Sequence, residues 1–440
     1  MARAALAALV VAALVVAALA GDATANGRFP APRGVTLDPA RPDTILLQTT
    51  FGLLISRDAG ESFHWVCESA IGYGGTYDPD YAVGGDGAIY ATTFEGLVVT
   101  RDGGCTWTRI AGAMPDLWVG AVTTAPDGAI WAATSSGGKV NDVYVSRDDG
   151  ATFAPTGLHH DRAWWKSIAV APSEPRRLYV SGYRIASAAP GDDVEQPRAL
   201  LYRSDDGGAS WAELPVDDFA FGTQPLLFVL GALPDDPDTV FARVEQWNDV
   251  TGGAVYRSSD AGASWTRVLE MNDAVDGFLI PRVGGLLIAG TPGAGVRVSA
   301  DRGVTWTEPA VQPRMQCVAE RGDGTIYGCG ANWAPDYFAL ASSTDASSWM
   351  PVHQFQEIAG PLACEPGTIQ HDGCAAILWP SLAEQLGVPV GGADAGPVDD
   401  AATPPDAGAG AGVDTPRGGG CGCNAGLAAM LAWLPLRRRR

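Results

Sequence analysis

The side chains best equipped for chemistry crowd between residues 159 and 166, where His159-His160-Asp161-Arg162 runs directly into Ala163-Trp164-Trp165-Lys166. Imidazole and carboxylate groups exchange protons and hydrogen bonds, and indole faces stack on sugar rings and on side chains alike. Two further groups of this kind head unusually long insertions. Tyr183 and Arg184 open the segment ending at Pro197, and Glu245 and Trp247 open the one ending at Gly253. The candidate ligand-binding residues are therefore His160, Asp161, Trp164, Trp165, Tyr183, Arg184, Glu245 and Trp247. A second chemistry uses two carboxylates facing across a cleft to cleave a glycosidic bond, their separation fixing the stereochemical outcome. Asp161, Glu245, Asp78 and Asp336 offer members for such a pair. A plainer use also exists, in which Trp164 or Trp165 begins an inner strand and fills the core.

Positioning these groups falls to a motif that recurs along the chain, Ser-x-Asp-x-Gly-x-(Ser/Thr)-(Trp/Phe). Its copies run Ser56 to Phe63, Thr100 to Trp107, Ser146 to Phe153, Ser204 to Trp211, Ser258 to Trp265 and Ser299 to Trp306. A seventh, Ser343 to Trp349, lacks the glycine and is one residue short. The aspartates Asp58, Asp102, Asp148, Asp206, Asp260, Asp301 and Asp345 are spaced by 44, 46, 58, 54, 41 and 44 residues, the period of a solenoid, propeller or array. Between copies the sequence reads as short apolar strands and turns without helical periodicity. The second unit shows four strands: Ala82-Val83, Ala88 to Thr92, Gly96 to Thr100 and Trp107 to Ile110. The fold class expected is all-β, a single seven-bladed propeller of four-stranded blades. The motif then occupies the hairpin between third and fourth strands, where Asp bonds turn amides and Gly takes a positive φ. Its aromatic ring returns between blades, contributing roughly 1.5 to 3 kcal/mol by burial.

The motif resembles the Asp-box, or BNR, repeat of sialidases, sortilin-type receptors, xyloglucanases and photosystem assembly factors, over about residues 34 to 355. The run Ser167 to Pro172, followed by Leu178 to Gly182 and Tyr202-Arg203-Ser204, is most similar to the xyloglucanase and sortilin branch. The resemblance implies a structural role for Asp58, Asp102, Asp148, Asp206, Asp260 and Asp301. It also places ligands on the face bearing the interblade loops and the loops between second and third strands. Sialidases of this class carry Phe-Arg-Ile-Pro before the first motif; here that region reads Arg28-Phe29-Pro30-Ala31-Pro32-Arg33, which argues against sialidase activity. Xyloglucanases use two propellers, and this chain offers one. The reading is a non-catalytic binding module for an extracellular glycan or protein, with a glycoside hydrolase as the alternative.

Flanking segments set the location. Residues 1–25 read as a signal peptide, 26–357 as the propeller, 358–390 as a small cysteine-containing extension, 391–420 as a Gly/Ala/Pro/Asp-rich disordered linker and 421–440 as a sorting tail. That tail, with Cys421-Gly422-Cys423, a short apolar stretch and Arg437 to Arg440, resembles the MYXO-CTERM signals of myxobacterial surface proteins. The resemblance implies processing by signal peptidase and a sorting protease, and anchoring on the outer surface through Cys421 or Cys423. Membrane attachment is then confined to the processed C-terminus. The remaining cysteines fit disulfides in an oxidising compartment. Neighbouring pairs are expected, Cys67 with Cys105, Cys317 with Cys329 and Cys364 with Cys374, out of fifteen possible pairings. No metal or cofactor is expected: neither the histidines nor the cysteines show ligand spacing, and Thr134 to Val140 lacks the ends of a phosphate loop. A formal charge of −21 over 440 residues excludes nucleic acid as a natural partner.

Overall fold

The second strand of each repeat sets the architecture. Ile89–Thr93, Ile130–Thr134 and Leu287–Thr291 are buried along their whole length. A strand apolar on both faces must lie between two sheets. A computed structural model describes residues 28–389, apart from 113, 115, 161, 185–196, 222–224, 247–251, 283 and 284. The leader, the linker and the tail with Cys421 and Cys423 lie outside these.

The described chain is a seven-bladed propeller. Its inner strands are Pro32–Leu37, Tyr81–Val83, Val119–Thr124, Ala163–Val170, Leu226–Leu233, Gly277–Leu279 and Cys317–Glu320, each continued outward by antiparallel neighbours. In blade six the fourth strand is reduced to one bridge, between Val298 and Thr307. The ring closes where the inner strands of blades one and seven pack side by side.

Each motif lies where expected, after the third strand, and its carboxylate forms a clasp. In blade three, Ser146 Oγ donates to Asp148 Oδ1 at 2.7 Å, the Thr152 amide donates to Oδ1 at 2.9 Å, and Thr152 Oγ1 donates to Oδ2 at 2.6 Å. The same set recurs at Asp58, Asp206, Asp260 and Asp301. Asp102 uses Thr100 in place of serine. The shortened seventh copy keeps it with Ser343, Ser347 and Ser348 as partners of Asp345.

The motif glycine serves packing as well as the turn. Gly150 has φ 74°, and a Cβ there would stand 2.2 Å from the Tyr90 hydroxyl of the preceding blade; at Gly303 it would stand 2.5 Å from the Phe241 ring. Arginines reinforce this docking. Arg57 donates to Gly103 O at 2.7 Å, Arg101 to Asp149 O at 2.7 Å, Arg147 to Gly207 O at 3.1 Å, Arg203 to Ala261 O at 2.8 Å and Arg257 to Arg302 O at 3.0 Å. Every one of these carbonyls belongs to the positive-φ residue that precedes the motif glycine in the next blade.

The extension after the propeller is a strap. Gly360–Pro361 pairs in parallel with His64–Val66, giving the first sheet a fifth strand and covering its outer edge. Two disulfides hold it, Cys105–Cys364 and Cys67–Cys374; the third is Cys317–Cys329 within blade seven. The expected pairs Cys67–Cys105 and Cys364–Cys374 are therefore corrected. Both strap cysteines cross to the propeller because the parallel strand carries the chain past Cys105 before the helical turns return it to Cys67. Gln370 completes the seam, accepting from the Cys67 amide at 3.1 Å and donating to Trp65 O at 2.7 Å.

The strap disulfides close loops of 307 and 259 residues, each restricting the unfolded chain by roughly 5 kcal/mol. Replacing Cys364 and Cys374 by serine is expected to lower the thermal midpoint by at least about 5 °C and to open the chain to proteolysis after the propeller. Calorimetry and mass spectrometry of the digest check this; an unchanged midpoint would mean that packing alone holds the strap. A second expectation concerns acid. Hydroxyl and amide of the residue four positions on, then the leading serine, hold the carboxyls of Asp148, Asp206 and Asp301 at about 2, below the ordinary 3.8. A folded-state value depressed in this way adds stability that is present above the unfolded value and lost as pH falls toward 2. The thermal midpoint should therefore drop steeply between about pH 4 and pH 2, and Asp148→Asn should flatten that drop. A pH-independent midpoint across this window would contradict it.

Candidate functional site

The inner strands begin on the face opposite the motif turns, so the residues just before or at their starts ring one mouth of the central channel. Blades two, three and four each place an aromatic side chain there. Trp164 opens the inner strand of blade four, Trp118 precedes that of blade three and Tyr77 leads into that of blade two. Tyr183, at the end of the second strand of blade four, and Phe94, between second and third strands of blade two, extend the row. Ring centroids lie 5.8 Å apart for Tyr183–Trp164, 5.5 Å for Trp164–Trp118, 5.3 Å for Trp118–Phe94 and 4.5 Å for Phe94–Tyr77. The result is an arc of five rings along the rim. Phe94 is 49 % exposed, and Trp164, Trp118 and Tyr183 are half-buried.

Charge occupies the mouth inside and beside this arc. Lys166 Nζ stands 4.2 Å from the Trp118 ring centroid. Asp80 precedes the inner strand of blade two and is exposed to the channel. Arg243 and Glu245, on the second strand of blade five, form an ion pair of 2.9 Å, with Asp276 3.6 Å from the same guanidinium. Asp80 is exposed at its surface, yet many protein atoms surround it. That loss of bulk solvent pushes its carboxyl up to about 6, against the pull of Lys166 and Arg243. Burial likewise draws the Lys166 ammonium below its ordinary range, opposed by Asp80 and Glu245. One channel mouth thus presents an aromatic half and a charged half.

The sequence-predicted residues divide accordingly. Trp164, Tyr183 and Glu245 lie on this mouth. His160 is half-buried in the connection between blades three and four, bridged through its backbone to Asn141, and Arg184 ends the second strand of blade four opposite Arg198. Trp165 is wholly buried against Tyr202 and packs the core, because the alternation of the strand turns it away from Trp164. Asp161 and Trp247 lie outside the described residues. The other proposed carboxylates are committed elsewhere. Asp78 is held by both Arg28 nitrogens at 2.7 and 2.6 Å and by Arg33 at 3.2 Å. Asp336 accepts from the Ala331 and Arg314 amides at 2.7 and 3.1 Å.

Sequence reasoning missed Asp80, Trp118, Phe94, Tyr77 and Arg243, and it named Lys166 in the cluster without making it a candidate. A usable signal existed for Trp118, which stands in blade three where Trp164 stands in blade four. None existed for Asp80: in Tyr77-Asp78-Pro79-Asp80 only the fold distinguishes the neutralised carboxylate from the open one. A cavity of about 1040 Å³ opens at the other end of the channel, between Leu37, Leu230, Ile280 and Val318, with Asp38 and Arg282 at its rim. It lies on the motif side, away from the arc.

No family model and no curated protein matches the chain. Among solved structures it is similar to a GH74 enzyme of Niastella koreensis, with 14 % identity over 72 % of this chain and 69 % of that one and a TM-score of 0.33. It is similar to YCF48 from Cyanidioschyzon merolae, with 14 % identity over 69 % and 93 % of the two chains and a TM-score of 0.45. It is also similar to a Hadza microbial sialidase, with 15 % identity over 66 % and 71 % and a TM-score of 0.39.

Asp80 carries a stability signature. Its folded-state value of about 6 lies above the ordinary 3.8, so the folded state holds the proton more tightly and loses stability as pH rises from about 4 through 6. Asp80→Asn is expected to raise the thermal midpoint at pH 7.5, with the gain vanishing below about pH 4. A midpoint lowered at pH 7.5 would mean that the ionised carboxylate supports the fold.

Proposed function

We propose that this chain is a secreted, cell-surface binding protein whose Asp-box propeller holds an extracellular glycan or protein ligand at the aromatic rim of its channel, without catalysis. The observation that carries this reading is the five-ring arc from Tyr183 to Tyr77. Aromatic faces accept the C–H faces of pyranose rings and apolar side chains, and half-buried rings in a fixed row offer stacking with little loss of side-chain freedom on binding. Three disulfides fit an oxidising compartment. Among the described residues no helix is long and apolar enough to cross a membrane. In this reading signal peptidase removes the leader, and a sorting protease processes the MYXO-CTERM-like tail, leaving the propeller tethered through Cys421 or Cys423 at the end of the linker.

One observation favours a second reading. Asp80, with its carboxyl raised to about 6, shares the mouth with Glu245, ion-paired to Arg243. A carboxylic acid facing a paired carboxylate is the acid and base arrangement of a glycoside hydrolase. That role needs Asp80 protonated at the scissile oxygen and Glu245 on the opposite side of the sugar.

A glycan array probed with the full-length protein, beside a Trp118→Ala, Trp164→Ala variant of intact fold, decides between these. Retained glycans whose binding falls at least about tenfold in the variant, and which remain uncleaved on long incubation, are the expected result. Cleavage abolished by Asp80→Asn would establish the hydrolase. Absence of any bound glycan would remove the glycan ligand and direct the search to protein partners.

A further inference from the structure

Lys166 is an unusual choice at its position. The chain meets its need for positive charge almost wholly with arginine, and Lys139 and Lys166 are its only lysines. Most arginines of the ring are spent on carbonyls or carboxylates, five of them on motif turns. Lys166 makes no hydrogen bond and no ion pair with any described residue, and its ammonium stands 4.2 Å from the Trp118 ring centroid. Asp80 is its counterpart. Its carboxylate accepts no hydrogen bond from a described residue, whereas Asp78, two positions earlier, is neutralised by two arginines. Each feels the charge of the other across the mouth. Among the described residues, the three N–H donors of Lys166 and the two carboxylate oxygens of Asp80 are thus left without a hydrogen-bond partner.

A ligand that covers both groups must supply acceptors to Lys166 and donors to Asp80, or both charges are left bare, a heavy penalty. An apolar ligand supplies neither. A carboxylate-bearing sugar satisfies Lys166 but brings its charge toward Asp80 and Glu245. A pair of adjacent hydroxyls does both tasks at once, since each hydroxyl donates once and accepts twice. The arc sits beside this gap, and Trp118 belongs to both: one ring shares its surroundings with the Lys166 ammonium and, through Trp164 and Phe94, with the row of aromatic faces.

Resting on the glycan reading above, we infer that Lys166 and Asp80 form a clamp for two adjacent hydroxyls of a neutral pyranose, whose neighbouring units stack along Trp118 and Trp164. The ligand class is a neutral oligosaccharide rather than a uronate, a sialylated glycan or a peptide. Asp80 works as the acceptor and Lys166 as the donor, and the aromatic arc sets the direction in which the oligosaccharide leaves the mouth.

The test is calorimetric titration of the full-length protein and of Lys166→Met, Lys166→Arg and Asp80→Asn with four probes: cellohexaose, xylohexaose, hexagalacturonate and triglycine. At least one neutral hexaose is expected to bind. Its affinity should fall roughly tenfold to a hundredfold in Lys166→Met and in Asp80→Asn, the loss that follows removal of a charged hydrogen-bonding partner. Lys166→Arg, which keeps donors and charge, should lose less than Lys166→Met, an ordering that a purely structural role would not give. Thermal midpoints of all variants establish that they are folded. Neutral binding that is unchanged in Lys166→Met and Asp80→Asn, yet lost in Trp118→Ala, overturns the clamp while leaving the glycan reading in place. Binding of hexagalacturonate or triglycine alone also overturns it and makes the mouth an anion or zwitterion site. Failure of all four probes overturns the clamp, and an empty glycan array alongside it removes the glycan reading too.

Discussion

One aspartate in each blade holds two hydroxyls and a turn amide, and the geometry of the ring descends from that contact. The clasp spans only seven residues, from Ser146 to Thr152 in blade three, so it needs no distant partner to form. It fixes a turn with two consecutive positive-φ residues, Asp149 and Gly150, in that blade. That turn presents a bare glycine surface to the second-strand aromatic of the preceding blade. Local hydrogen bonding thus produces the surface through which blades stack. Blade seven shows which part is dispensable: it lacks the glycine, yet Ala346 takes φ 55° and is wholly buried against blade six. Ala346 shares its core cluster with the aliphatic Ile288 of blade six.

Stacking by clasps alone leaves a seam. The arginine arms run from blade one to blade six in unbroken order, and none among the described residues reaches a motif turn across blades six to seven or seven to one, where Arg33 donates instead to Gln316 Oε1 at 3.1 Å. At the last of these junctions the chain uses its strap. The Phe355 amide donates to Asn332 of blade seven at 2.7 Å, the Ala359 amide donates to Phe63 O of blade one at 2.9 Å, and the parallel strand then covers the outer edge of blade one. Cys105 carries the strap one blade further. A ring whose blades are held pairwise by local contacts opens most readily at its ends, and the covalent links are concentrated there.

This distribution explains what the sequence disclosed. Blade number, strand order and the location of the motif were legible because each rests on a pattern repeated within about fifty residues. Cys317–Cys329 was legible for the same reason, as both flank one hairpin. The strap was not: a two-residue parallel pairing across some 300 positions leaves no periodic trace, and Cys67 with Cys105 looks as natural a pair as Cys67 with Cys374. The arms were hidden because arginine precedes the motif serine in blades four and five but follows it in blades one to three. For the candidate site, the aromatic half was partly legible from Trp164 and Tyr183, whereas Trp165 illustrates the limit of composition. Adjacent indoles on one strand point to opposite faces, and only one of them can reach the rim.

Asp78 and Asp80, two positions apart on one loop, show how carboxylates of this ring differ in kind. Around the motif turns and along the seam the carboxylates described above are matched by hydroxyls, amides or arginines, and Asp78 follows that practice. Two residues later, Asp80 accepts no hydrogen bond from a described residue, and Lys166 makes none. Charge withdrawn from bulk solvent is destabilising, and the opposite charges facing these two groups offset only part of that cost. The clasps, arms and disulfides supply enough stability elsewhere to tolerate it. Two opposite charges without a hydrogen-bond partner among the described residues, set beside a row of aromatic rings, are the feature on which the proposed ligand clamp rests.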